Sequence, residues 1–254
     1  MSESNLSCTN RRDAGQPCRT PGVQSEVAEC SRMGGGGRRE KTVQDLEDLR
    51  AFVVRVGGRP VEGGWDRLAR YCGLEWSRGA DETWAFRYYD CLPSPPDNSV
   101  EPIDVLACAS MHPGLSKSDL TFFHAERNSI ASWLDGLPVD LALDGADESV
   151  QRHLADLATW DAPVTLQLLT KVLHRKRPLL IPLVDRHILD WYRPITGERS
   201  TVKAWPGLVR SIREDLSLNA VPLHSMVTGI EDRTGERISP LRAVDIIVWM
   251  GGQG

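Results

Sequence analysis

Apolar residues along this chain recur at three- and four-residue intervals far more often than they alternate, so the predicted elements are helices. From Thr42 the run T-V-Q-D reads as an N-cap with an acidic residue three positions on. Val43, Leu46, Leu49, Phe52, Val53 and Val56 follow at helical spacing until Gly57-Gly58 stop the pattern. A short helix is expected over Trp65 to Tyr71. The stretch TWAFRYYDCL at 83–92 suits either a strand or a helix, and PSPPDN closes it as a loop. Glu101-Pro102 opens a helix running through Cys108, and Ser116-Lys-Ser-Asp opens another carrying Leu120, Phe122, Phe123, Ile130, Trp133 and Leu134.

In the second half, helices are expected at about 148–159, 164–175, 184–193, 201–216 and 220–228. Ser239-Pro240 then caps and starts a last helix through Met250. The expected fold is therefore mainly α, an irregular multi-helix bundle. Residues 1–38, rich in Ser, Gly, Arg and Thr, show no apolar period and read as a disordered leader. Residues 39–146 read as an N-terminal helical region and 147–254 as a C-terminal one.

Composition changes this picture little. With 41% hydrophobic and 26% charged residues the chain is an ordinary globular one. No apolar run approaches the roughly 20 residues that span a bilayer, and the N-terminus lacks the apolar centre of a secretory signal, so a cytoplasmic protein is expected. The six cysteines form no C-x-x-C pair, and neither a metal nor a cofactor is expected. No phosphate loop, dinucleotide fingerprint, nucleophile elbow or H-E-x-x-H helix occurs.

Charge is more informative. Residues 81–150 carry 13 acidic and 3 basic side chains, whereas 171–213 carry 10 basic and 3 acidic. Such single-sign segments either face one another inside a fold or meet a partner of opposite sign. The basic positions Arg175, Lys176, Arg177, Arg186, Arg193 and Lys203 are the candidates for contact with DNA or another polyanion, since Arg and Lys neutralise phosphates. A protein partner for the helical surfaces is the other expectation. Arg175 and Lys176 also end a predicted helix, where positive charge complements the dipole.

Within HRKRPLLIPLVDRHILDWY, 174–192, Asp185 stands at the start of a helix. Asp is a strong N-cap, and the same carboxylate is a candidate for catalysis, with His187 beside it. Lys171, flanked by Leu168 and Val172, reads as plain core spacing.

The order of parts from about 148 to 193, namely helix, the link WDAP, helix, a proline-broken connection and Val184-Asp185-Arg186-His187, resembles the helix–hairpin–helix DNA glycosylase superfamily. That resemblance implies a helix–hairpin–helix-like core and assigns Asp185 the task of assisting base departure. The chain departs from the family at Pro163-Val164-Thr165, which fall where the hairpin carries glycines whose N–H groups meet a phosphate. Gln167 stands where bifunctional members carry a nucleophilic lysine, with Lys171 one helical turn further on the same face as a displaced substitute at most, and the family's iron–sulfur cysteines are absent. The resemblance therefore implies nucleic-acid binding, or a monofunctional base-excising hydrolase without lyase activity. The alternative is a helical interaction module with no catalysis.

Overall fold

The structure is a computed structural model that describes residues 43–74, 82–95, 97–112 and 114–252. The leader expected over 1–38 lies outside the described residues, as do Cys8, Cys18 and Cys30. Helix α1 spans Val43–Ala51. It is shorter than expected, because the valines at 54 and 56 leave the helix and form a hairpin. Strands β1 (Val54–Val56) and β2 (Arg59–Val61) pair antiparallel, with Val54 opposite Val61 and Val56 opposite Arg59. Gly57 and Gly58 sit at φ 61° and 72°, the two consecutive left-handed positions that a tight two-residue hairpin turn demands. The glycines that end the apolar period are thus a turn between strands, and Val54 and Val56 are buried on one face.

Helix α2 (Gly64–Tyr71) follows. The ambiguous aromatic stretch is helical: α3 (Glu82–Ala85) runs into a π-helical turn at Phe86–Asp90, which Cys91 N–H closes onto the Phe86 carbonyl at 2.9 Å. Turns of this kind widen the helix by a residue and often reposition side chains at functional sites. Here it turns Tyr89 inward and carries Asp90.

Helix α4 (Pro102–Ala107) opens with a reciprocal cap between Glu101 and Asp104. Helices α5 (Lys117–Ala125) and α6 (Arg127–Asp135) follow, the first capped by Ser116. Helix α7 (Glu148–Asp156) is capped by Asp147, α8 (Leu166–Lys176) by Thr165, and α9 (Arg186–Thr196) by Asp185. Helices α10 (Thr201–Leu218), α11 (Ala220–Thr234) and α12 (Pro240–Gly251), the last capped by Ser239, complete the chain.

Helices α8 and α12 are central. Helix α12 packs on α2, α9, α10 and α11 and is buried nearly all round from Leu241 to Val248. Elements on both sides of residue 146 share this one core, and Lys41–Gly254 form a single compact unit. The hairpin is tied down by the end of α10. Asn219 brackets Arg55, accepting from its N–H at 2.8 Å and donating to its carbonyl at 2.6 Å. Asp215 accepts from Gly57 N–H at 2.8 Å and from the Tyr192 hydroxyl at 2.6 Å. Among the described residues no helix is long and apolar enough to cross a membrane.

Candidate functional site

A cavity of about 250 Å³ lies between the end of α2, the segment after α4, the middle of α8, the start of α9 and one face of α12. Leu183, Met111, Ile246 and Trp249 form its apolar walls, and Tyr71, Lys171, Asp185, Arg242 and Asp245 its polar ones. The α12 contribution follows from helical geometry: Arg242, Asp245 and Trp249 stand three and four residues apart and so project from one face.

Asp185 caps α9 and also lines the cavity. Its Oδ1 accepts from Ile188 N–H at 3.0 Å, which is the cap, while its side chain also lines the cavity. Its Oδ2 has no hydrogen-bond partner among the described residues. Capping therefore occupies one oxygen and leaves the other for chemistry.

Lys171 is only 5% exposed, with Nζ donating to the Met111 carbonyl at 3.0 Å. An ammonium has three donors, so two remain for a ligand. Burial lowers its pKa, and the nearby carboxylates of Asp185 and Asp245 oppose that shift. Reading this residue as plain core spacing is corrected here. Its neighbours Leu168 and Val172 are core, but its own side chain reaches the polar wall.

Asp245 is 9% exposed, and Arg242 Nη1 donates to its Oδ2. Its Oδ1 has no partner among the described residues. Burial is the largest influence on this carboxyl; the negative charges of Asp185 and Asp90 act with it, Arg242 and Lys171 act against it, and the pKa is pushed up to about 7. Behind it the Arg242 guanidinium donates from Nε to Asp90 Oδ1 at 2.7 Å and from Nη2 to Asp90 Oδ2 at 3.1 Å and the Tyr71 hydroxyl. Tyr71 in turn donates to Asp90. This network fixes the wall, because each buried polar group in it has a partner. On its far side lies a wider groove lined by Asp90, His174 and Arg242 among others.

The basic run is not where a polyanion would meet it. Arg175, Lys176 and Arg177 are all buried, at 6%, 0% and 1% exposure. Lys176 Nζ pairs with Asp104 Oδ2 at 2.6 Å, and Arg175 Nε with Asp104 Oδ1 at 3.2 Å, while Arg175 also donates to the carbonyls of Tyr89, Leu92 and Pro93. Arg177 donates to the carbonyls of Leu134, Leu137 and Asp97 and to Asn98. Burial alone would raise the Asp104 pKa, but hydrogen bonds from Lys176, Ser94 and the Glu101 N–H hold it below its ordinary value. The correction has a plain cause. Loop 93–98 and the ends of α4 and α6 present carbonyls and carboxylates that need buried donors, and the end of α8 supplies them. The acidic and basic segments thus meet, in part, inside the fold.

Of the other sequence candidates, Arg186 and Lys203 are exposed. Arg193 is half-buried and pairs with Asp190. His187 lies against Gly252 at the end of α12 and does not line the cavity. Sequence reading set Lys171 aside and missed Asp245, Arg242, Asp90 and Tyr71. A signal existed for two of them: Arg242 and Asp245 interrupt the apolar run PLRAVDIIVWM, and charges inside such a run are buried with partners. Among the described residues no three His, Cys, Asp or Glu side chains gather in a metal-binding arrangement, and Cys72, Cys91 and Cys108 are free thiols.

Comparison with curated proteins and with solved structures finds no match in either. A family does match, over residues 65–252, from the first turn of α2 to the last of α12, so every side chain of the cavity falls inside the matched span. The chain belongs to the family described as "Family of unknown function (DUF6308)".

Proposed function

We propose that the cavity is the active site of a hydrolase that releases a base from a nucleoside in DNA, with Asp185 as its working carboxylate. One observation carries the reading. A single carboxylate caps α9 with one oxygen and keeps the other unspent beside a closed-in cavity, where Lys171 and Asp245 are also buried. The family resemblance of the segment from α7 to α9 supports the same assignment, with a helix–hairpin–helix-like core as part of the proposal.

Chemically, as the glycosidic C–N bond breaks its electron pair leaves with the base, and positive charge builds on the sugar. An ionised carboxylate nearby stabilises that charge and can take a proton from the water that completes the reaction. The base, taken out of the stack, needs a pocket with aromatic and apolar walls and a few polar contacts. Trp249, Ile246 and Leu183 supply the walls, and Lys171 and the unpaired carboxyl oxygens of Asp185 and Asp245 supply the contacts. Arg186, next to Asp185 and exposed, is the nearest candidate for a DNA phosphate, with Arg193 further along α9 and Lys203 on α10. The buried run Arg175, Lys176 and Arg177 is assigned no phosphate, since its donors are occupied.

The test is release of free base from duplexes carrying a panel of damaged or mismatched bases. Asp185→Asn is expected to lose at least 100-fold in rate, in line with removal of a general base or charge stabiliser. No release by the unmodified protein from any duplex would leave the helical interaction module as the better account. A second reading takes Lys171 as a nucleophile forming an imine with the sugar, favoured by the lysine's burial against two carboxylates. Reductive trapping with borohydride separates the two, because only the imine leaves a covalent protein–DNA adduct.

A further inference from the structure

The cavity holds two carboxylates, and their surroundings differ. Asp185 is partly exposed and sits at a helix start, where its Oδ1 accepts from the Ile188 N–H at 3.0 Å. Asp245 is buried in the middle of α12 and lines the cavity, with one oxygen held by Arg242 and the other without a partner among the described residues. Two carboxylates that share a site in unlike surroundings, one half-exposed at a helix start and one buried, are the natural base and acid of that site.

We propose that Asp245 is the proton donor of this site, delivering a proton from Oδ1 to the departing base while Asp185 serves as the carboxylate. This inference rests on the hydrolase reading above. The proton passes from Asp245 to a ring nitrogen of the base, the C–N bond breaks with its electron pair going to the base, and water adds to the sugar carbon. Asp185 takes the proton that water releases, and exchange with solvent returns one proton to Asp245, so the cycle consumes one water.

The groups that face Asp245 decide whether it keeps its proton. Arg242 contacts it from its own helix, and Lys171 approaches from α8. Asp185 and Tyr192 lie on the α9 side, Asp90 on the π-helical turn, and Tyr71 on α2. The two cations favour ionisation, whereas the two aspartates and burial oppose it. Burial is the largest of these influences, and with it the pKa is raised to about 7.

Two measurements on the full chain test the assignment. The first follows the side-chain carboxyl carbon of Asp245 by NMR from pH 5 to 9, identified by its absence in Asp245→Asn, and needs no substrate. A signal that titrates near neutrality supports the donor role, and one that is ionised throughout overturns it. The second measures base release against pH. The unmodified enzyme should lose activity as pH rises past neutrality, while Asp245→Asn should lose about 100-fold in kcat, keep its KM, and no longer show that alkaline fall. Asp245→Glu should recover part of the rate. An Asp245→Asn protein that is as active as the original, or slow with an unchanged pH profile, overturns the proposal while leaving Asp185 in place. Failure of the unmodified protein on every duplex overturns the hydrolase reading itself, and the donor role with it.

Discussion

Two buried groups shift in opposite directions, and together they hide each other's effect on stability. Burial lowers the His174 pKa from the ordinary 6.5 to about 4, whereas burial raises that of Asp245 from 3.8 to about 7. Between about pH 4 and 6.5 the unfolded chain therefore carries a proton on His174 that the fold lacks. Over the same window the fold carries one on Asp245 that the unfolded chain lacks. Stability changes by about 1.4 kcal/mol per pH unit for each proton of difference. For His174 the sign is positive, stability rising with pH. For Asp245, a carboxyl raised in the fold, it is negative, stability being lost as pH climbs toward 7. In the intact protein the two slopes cancel. Asp245→Asn removes one of them, so the variant should lose about 3 kcal/mol more than the original on going from pH 6.5 to pH 4. Urea unfolding at half-unit pH intervals measures this directly, and a general loss from disturbing Arg242 would displace the whole curve without tilting it. Parallel curves for the two proteins would refute the reasoning.

Asp104→Ala leaves Lys176 and Arg175 buried beside an empty position, which costs about 3–5 kcal/mol and lowers Tm by roughly 10 °C for a domain of this size; a fall below about 3 °C in a calorimeter would contradict the pairing. Replacing Arg186, Arg193 and Lys203 together by Ala should leave Tm nearly unchanged, since such surface charges contribute within about 1 kcal/mol each. The same variant should bind DNA more weakly and with a shallower dependence on salt if these side chains meet phosphates. Gly57→Ala places a Cβ at φ 61° and 3.1 Å from the Trp191 Nε1, so a loss of at least about 1 kcal/mol is expected in chemical denaturation.

The helices were legible in the chain because their determinants are local. A cap and an apolar period of three or four residues are contained within a dozen positions, and Asp185 and Ser239 start helices where their residue types predict. The same local logic misread Val54 to Val56, since a glycine pair ends a helix or turns a hairpin equally well. Asn219 and Asp215, more than 150 residues away, settle the choice by bonding the hairpin backbone. It also misread the basic run as surface. Whether a cation meets solvent depends on which carbonyls lie opposite, and those of loop 93–98 are brought to α8 only by the packed core.

The candidate site divides in the same way. Asp185 was found from sequence because its cap signal is local. Lys171 was set aside and Asp245 missed because a charge that interrupts an apolar run points to burial with a partner and does not tell a side chain facing a cavity from one facing the core. Sequence by itself determined where the helices start and that the chain is mainly α. Tertiary structure alone decided which charges are buried, which meet, and where space remains between them, because burial and pairing arise from contacts between residues far apart along the chain.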